Sequence, residues 1–215
     1  MITNKRAISE EQKQARREHI QETALNLFKS KSFSEINMDS IAKEAKVAKG
    51  TVFFYFETKE ELFLAITKNK FLDLFESINN SLIKMIGNNP SKNDLINIII
   101  SYLSENSILT RLIAILNTTL EKNINYVTTF EFKKMMYDNI FKTGMLIEKC
   151  LPSLAPGYGV KIMMWVYVLI IGIQHVTDPT PIAKEVIENE GLKDFNIKFD
   201  DLFKEMIDLI FKGIE

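Results

Sequence analysis

The chain has 215 residues, 46% of them hydrophobic and 26% charged, with 27 Lys and Arg against 28 Asp and Glu for a formal net charge of −1. Those fractions belong to an ordinary globular chain and exclude disorder throughout. A single Cys and two His exclude an internal disulfide framework and disfavour a zinc site, and only 8 Gly and 5 Pro argue against a turn-rich β sandwich.

In chain order the pattern is helix after helix. Ser9 and Gln12 have the spacing of a capping box and predict a helix to about Ser30, with Ile20, Ala24, Leu27 and Phe28 on one face. Asn37 predicts the cap of a short helix over Met38–Ala45. A tight turn at Lys46–Ala48 and a second short helix over Lys49–Tyr55 follow. Thr58 and Glu61 repeat the capping box and open a long helix to about Met85, which ends before the break at Asn88–Ser91. Further helices are expected over 92–105, 107–120, 127–150, 158–176 and 199–214, with 182–198 a partly helical connection. No alternating strand pattern and no repeat is present, so the expected fold class is all-α.

The polar, basic start has no apolar core of a signal peptide, and the strictly apolar run Ile162–Ile173 is too short for a span of about 20 residues. The expected location is the cytoplasm. Residues 1–60 carry eleven basic and nine acidic side chains, and five of the basic ones fall within residues 1–17. That tail reads either as solvated charge or as an arm lying against phosphates.

The chemistry concentrates in residues 36–62. Two short helices crossing steeply need a small residue at the approach, a tight turn four residues later, and an apolar plug about six beyond. Ala42, Lys46 and Val52 occupy those places, with Ile41 and Val47 beside them. The segment Ala48–Phe56, followed by Lys59, Glu60 and Leu62 and preceded by Ala24, Leu27, Phe28 and Phe33, resembles the DNA-binding part of the tetracycline-repressor-like family. The resemblance covers about residues 16–64. It departs at Lys46 and Ser32, where the family has Gly, and at Phe53, where it has Tyr. Should Lys46 take a left-handed backbone, the cost relative to Gly is about 1 kcal/mol.

A short recognition helix entering the major groove by its leading end presents N–H groups and Lys49 to phosphate or a guanine edge. Gly50 admits close approach, Thr51 can bond phosphate, and Phe53 and Phe54 can pack on sugars or a thymine methyl. Asn37 can donate to phosphate besides capping, while Val52 and Phe56 read as core. The resemblance implies that Tyr55 and Lys59 hold the phosphate backbone. It further implies domains at 1–57 (ordered from about 9), for DNA binding, and 58–215, for effector binding and dimerisation. The expected partners are double-stranded operator DNA, a second copy of the chain and a hydrophobic small-molecule effector.

Dimerisation is expected through the last two long helices, whose apolar faces are too wide for a monomer surface, with Met164, Val168, Ile171, Ile207 and Phe211 as interface candidates. The effector pocket is expected to use Tyr102, Phe132, Met136, Trp165 and Gln174, drawn from a stretch rich in Met and aromatic residues. The expected function is a dimeric, ligand-released transcriptional repressor on a near-palindromic site, with no cofactor, no metal and no membrane. An enzyme is disfavoured: Cys150, His19 and His175 form no nucleophile–base pattern, and no acid–base motif surrounds Glu131 or Glu148. A helical lipid- or partner-binding module without DNA binding is the other reading, raised by Lys46 and Phe53.

Overall fold

The computed structural model describes residues 9–214, which form ten α-helices and no strand. The helices are α1 (Glu10–Ser30), α2 (Met38–Glu44), α3 (Lys49–Tyr55), α4 (Lys59–Met85), α5 (Lys92–Glu105), α6 (Ser107–Ile115), α7 (Tyr126–Cys150), α8 (Tyr158–Thr177), α9 (Pro181–Asn189) and α10 (Phe199–Lys212). Lys5 and Arg6 of the basic tail lie outside the described residues.

The helix starts follow local side-chain chemistry. Ser9 and Gln12 make the expected reciprocal box and Asn37 caps α2 as expected; Asn37 with Ser40 and Ser91 with Asp94 add two reciprocal boxes beyond those expected from the sequence. At the start of α4 Thr58 Oγ1 accepts from Glu61 N at 3.0 Å, but the Glu61 carboxylate reaches past Thr58 to accept from Glu57 N at 2.7 Å. Asn106 ends α5 by donating from Nδ2 to the Tyr102 carbonyl, and the chain turns by 87° there. The stretch expected as one helix over 107–120 is α6 followed by a π turn over Leu116–Leu120, where the β-branched Thr118 and Thr119 adjoin.

The chain divides into two compact units. The first runs to Ile66 and includes Thr119–Ile124, so it extends beyond the expected limit at residue 57. The reason is the first turns of α4: Leu62, Phe63 and Ile66 are buried, and the Phe63 ring meets Phe28 at 5.4 Å and Phe33 at 5.1 Å, both edge-on.

In the second unit α7 and α8 pack along each other, and α8 also packs on α6 and α10. Gly144 and Gly159 set the crossing of α7 and α8: a Cβ on Gly159 would stand 2.0 Å from the Gly144 carbonyl oxygen. Glu148 Oε1 accepts from the N–H groups of Gly157 and Gly159 at 2.9 and 3.0 Å, capping the start of α8 with a carboxylate. Between α4 and α7 the buried Thr143 hydroxyl donates to Asn79 Oδ1 at 2.8 Å. Helix α8 has the length and composition to cross a membrane, but Ile162, Met163, Val166, Leu169, Ile170 and Ile173 are buried within the unit, as in the core helix of a bundle.

The apolar stripe of α10 is split by this packing. Phe203, Ile207 and Phe211 turn inward and are 0–2% exposed, leaving Met206 and Leu209 outside. Ile207 and Phe211 therefore leave the set of interface candidates, because they already fill the chain's own core. On α8 Met164 and Val168 are exposed and Ile171 is half-buried.

Candidate nucleic-acid interface

The first unit builds a helix-turn-helix from α2 and α3. Helix α2 ends at Ala45 with a paired-bond cap: Lys46 N donates to the Lys43 carbonyl at 3.2 Å and Val47 N to the Ala42 carbonyl at 3.0 Å. This geometry requires a left-handed residue, and Lys46 supplies it at φ 53°. The fold thus accepts at Lys46 the strain of about 1 kcal/mol that Gly would avoid. Ala42 is buried where the two helices approach, and Val52 and Phe56, at 0% and 1% exposure, plug the shared core with Ile41.

With Val52 turned inward, the rest of α3 faces out. Lys49 and Gly50 are exposed, Phe53 and Phe54 are 42% and 73% exposed, and Thr51 and Tyr55 are half-buried. The Lys49 ammonium lies 2.7 Å from Asp39 Oδ1 and 5.8 Å from the centre of the Phe53 ring. Phe54 and Tyr55 meet edge-on at 5.1 Å. Apart from its chain neighbours and the backbone of its own helix, no atom lies within 4 Å of where a Cβ on Gly50 would be, so its lack of a side chain serves nothing inside the unit. Asn37 spends Oδ1 on its cap, accepting from Ser40 N at 2.8 Å, and its side chain is exposed.

Beside α3 runs a groove of about 710 Å³, lined by Gln12, Arg16, His19, Lys46, Thr51 and Tyr55 among others. His19 Nε2 lies 3.1 Å from the Ala45 carbonyl and ties α1 to the turn. Gln12 and Arg16 are absent from the expected site, yet they line the same groove as Thr51 and Tyr55. The signal was present in the spacing of residues 12, 15, 16 and 19, which places them on one face of α1.

Lys59 behaves differently from the expectation that it holds phosphate. Its ammonium donates to the carbonyls of Phe33 and Ile36, each at 2.7 Å, and stands 3.9 Å from the centre of the Phe33 ring. Burial pushes its pKa below the usual lysine value, against the smaller upward pull of the Glu60 charge. Lys59 is a cross-link that ties the segment before α2 to the start of α4.

The five expected effector residues meet different partners. Phe132 is buried against Phe71 at 6.2 Å, Trp165 meets Tyr158 at 6.2 Å, and Tyr102 lines a groove with Ser77 and Glu105. Met136 is half-buried on α7. Gln174 lines a separate cleft of about 540 Å³ with Leu103, Thr110, Arg111, Asp178 and Phe199. There Thr110 Oγ1 donates to Gln174 Oε1 at 2.6 Å, Gln174 Nε2 donates to Asp178 at 3.2 Å, and Arg111 lies 3.8 Å from the same carboxylate. That side of the cleft is polar, while Leu103, Ile197 and Phe199 give the rest of it apolar surface.

Comparison with known proteins matches residues 20–66 to the family described as bacterial regulatory proteins, tetR family, and residues 68–215 to the tetracyclin repressor-like C-terminal domain. An uncharacterized HTH-type transcriptional regulator of Bacillus subtilis (strain 168), YuxN, is 39% identical over 69 residues, which are 32% of this chain and 23% of that protein. The chain thus matches under a quarter of the length of this curated relative. Among solved structures, the fatty acid degradation regulator FadR of Bacillus halodurans aligns with a TM-score of 0.58 at 15% identity, over 90% of this chain and 93% of that one. The FadR of Bacillus subtilis, in complex with stearoyl-CoA, aligns with a TM-score of 0.55 at 17% identity, over 92% and 99%. At these identities the likeness is one of fold.

Proposed function

The chain belongs to the tetracycline-repressor family, and from that premise we propose that this DNA-binding transcriptional regulator, which is not an enzyme, acts as a dimeric repressor released by a small molecule. The observation that carries the reading is the outward face of α3. Lys49, Gly50, Thr51, Phe53, Phe54 and Tyr55 stand on it, beside a groove that adds Arg16 and Lys46. In this reading Lys49 meets a base edge, the groove follows the phosphate backbone, and Asn37 donates to a phosphate from its remaining amide. Lys59 positions the head without touching DNA.

One head covers too few base pairs for selectivity among genomic competitors, which favours two heads on a near-palindrome. The exposed Met164 and Val168 of α8, with Ile171 beside them and Met206 and Leu209 on α10, support an isologous interface. The effector-binding and dimerising domain begins within α4. The cleft around Gln174 joins apolar Leu103 and Phe199 to Arg111 and Asp178, which favours an amphipathic effector over a purely hydrophobic one. The protein works where its DNA is, in the cytoplasm.

The test is selection of bound duplexes from a random pool by the purified protein. Enrichment of two inverted half-sites at a fixed spacing is expected, and a pool unchanged after repeated rounds would overturn the reading. Val168→Asp should leave the fold intact and halve the mass in solution; a persistent dimer would move the interface off α8.

A further inference from the structure

An acidic side chain stands on the face offered to a polyanion. Asp39 occupies the second position of α2, and its Oδ1 lies 2.7 Å from Nζ of Lys49, the first residue of α3. Both side chains are well exposed, at 64% and 60%, and ion pairs in that setting add little to stability. A carboxylate close to phosphates also works against binding. The pair therefore calls for an explanation in recognition.

The chemistry of the ammonium supplies one. It carries three N–H donors. One is committed to Asp39, and the Phe53 ring flanks the same group at 5.8 Å. Two donors remain, matching the two acceptors, O6 and N7, that guanine shows in the major groove. The tether also neutralises a charge that would otherwise bond any phosphate within reach, whatever the sequence.

We propose that Asp39 is a positioning residue for sequence recognition: it holds Lys49 toward a guanine edge and penalises binding to DNA that offers only phosphates. The proposal rests on the reading of Lys49 as a base contact. Asp39 touches no DNA and acts through Lys49.

The test uses Asp39→Asn and Asp39→Ser, both of which leave a residue suited to a helix start. Binding is measured over a salt series to two fluorescent duplexes, the selected operator and a shuffled duplex of equal length. In both variants the shuffled duplex should bind several-fold more tightly, with a salt slope steeper by about one phosphate contact. The ratio of operator to shuffled affinity should contract by about 10-fold, within the range for losing one paired base contact. Lys49→Ala should lower that ratio less in the Asp39→Asn background than in the natural chain. An unchanged ratio in both variants, with Lys49→Ala costing the same in either background, would overturn the proposal. A natural chain with no preference between the duplexes would instead overturn the reading of Lys49.

Discussion

Gly159→Ala adds one carbon atom where α7 and α8 cross. That carbon would stand 2.0 Å from the Gly144 oxygen, 2.7 Å from its carbonyl carbon and 3.0 Å from its Cα. All three are backbone atoms, so no side chain can swing aside. Ordinary contact begins near 3.4 Å, so the helices must part by about 1.4 Å at the crossing. A gap of about 0.5–1 Å already forfeits a quarter to a half of a dispersion contact. The buried neighbours Ile147, Ile162 and Met163 would lose packing together. Overpacking of this kind costs about 1–3 kcal/mol, and a backbone obstacle places this site at the upper end. Alanine's better helix propensity returns about 1 kcal/mol at most. The net expectation is a loss of about 2 kcal/mol, or about 4–8 °C in the melting midpoint for a chain of this size. Urea and thermal unfolding followed by circular dichroism at fixed protein concentration measure it. Gly213→Ala is the comparison: its Cβ would meet the nearest atoms at 3.5 and 3.6 Å, so stability should stay within about 0.5 kcal/mol. A Gly159→Ala protein as stable as the natural one would refute the close crossing.

Lys59→Met should destabilise the first unit by about 2 kcal/mol, because two bonds from a charged donor to backbone carbonyls are lost. The salt dependence of DNA binding should stay as it was; a slope shallower by one contact with unchanged stability would return Lys59 to the phosphate role. Gly50→Ala should stabilise α3 by about 0.5–1 kcal/mol yet weaken DNA binding, because the added methyl has open space in the free protein. Equal affinity for operator would show that the helix backbone does not approach DNA there. Burial, helped by the Asp73 charge, pushes the Tyr102 hydroxyl up to about 12 from an ordinary 10.0. The folded chain therefore holds this proton more tightly than the unfolded one, a contribution present below pH 10 and lost as pH rises from there toward 12. Tyr102→Phe should flatten that alkaline decline in urea-unfolding stability, and an identical decline in the variant would remove Tyr102 as its cause.

Sequence alone determined the helices and the place of the head. Capping pairs such as Ser9 with Gln12 and Asn37 with Ser40, the apolar spacing along α1 and α4, and the small residue, turn and plug at Ala42, Lys46 and Val52 all act within a few residues of one another. Their outcome is settled before distant parts of the chain meet. Only the tertiary structure decided which half of a broad apolar stripe is core, which is why Ile207 and Phe211 are inside and Leu209 is not. It alone showed that the Lys59 ammonium serves the carbonyls of Phe33 and Ile36, 26 and 23 residues away. It also scattered Tyr102, Phe132, Trp165 and Gln174 among different surroundings. Side chains of the same type, equally apolar or equally charged, are told apart by the neighbours that packing brings to them, and those neighbours lie far along the chain.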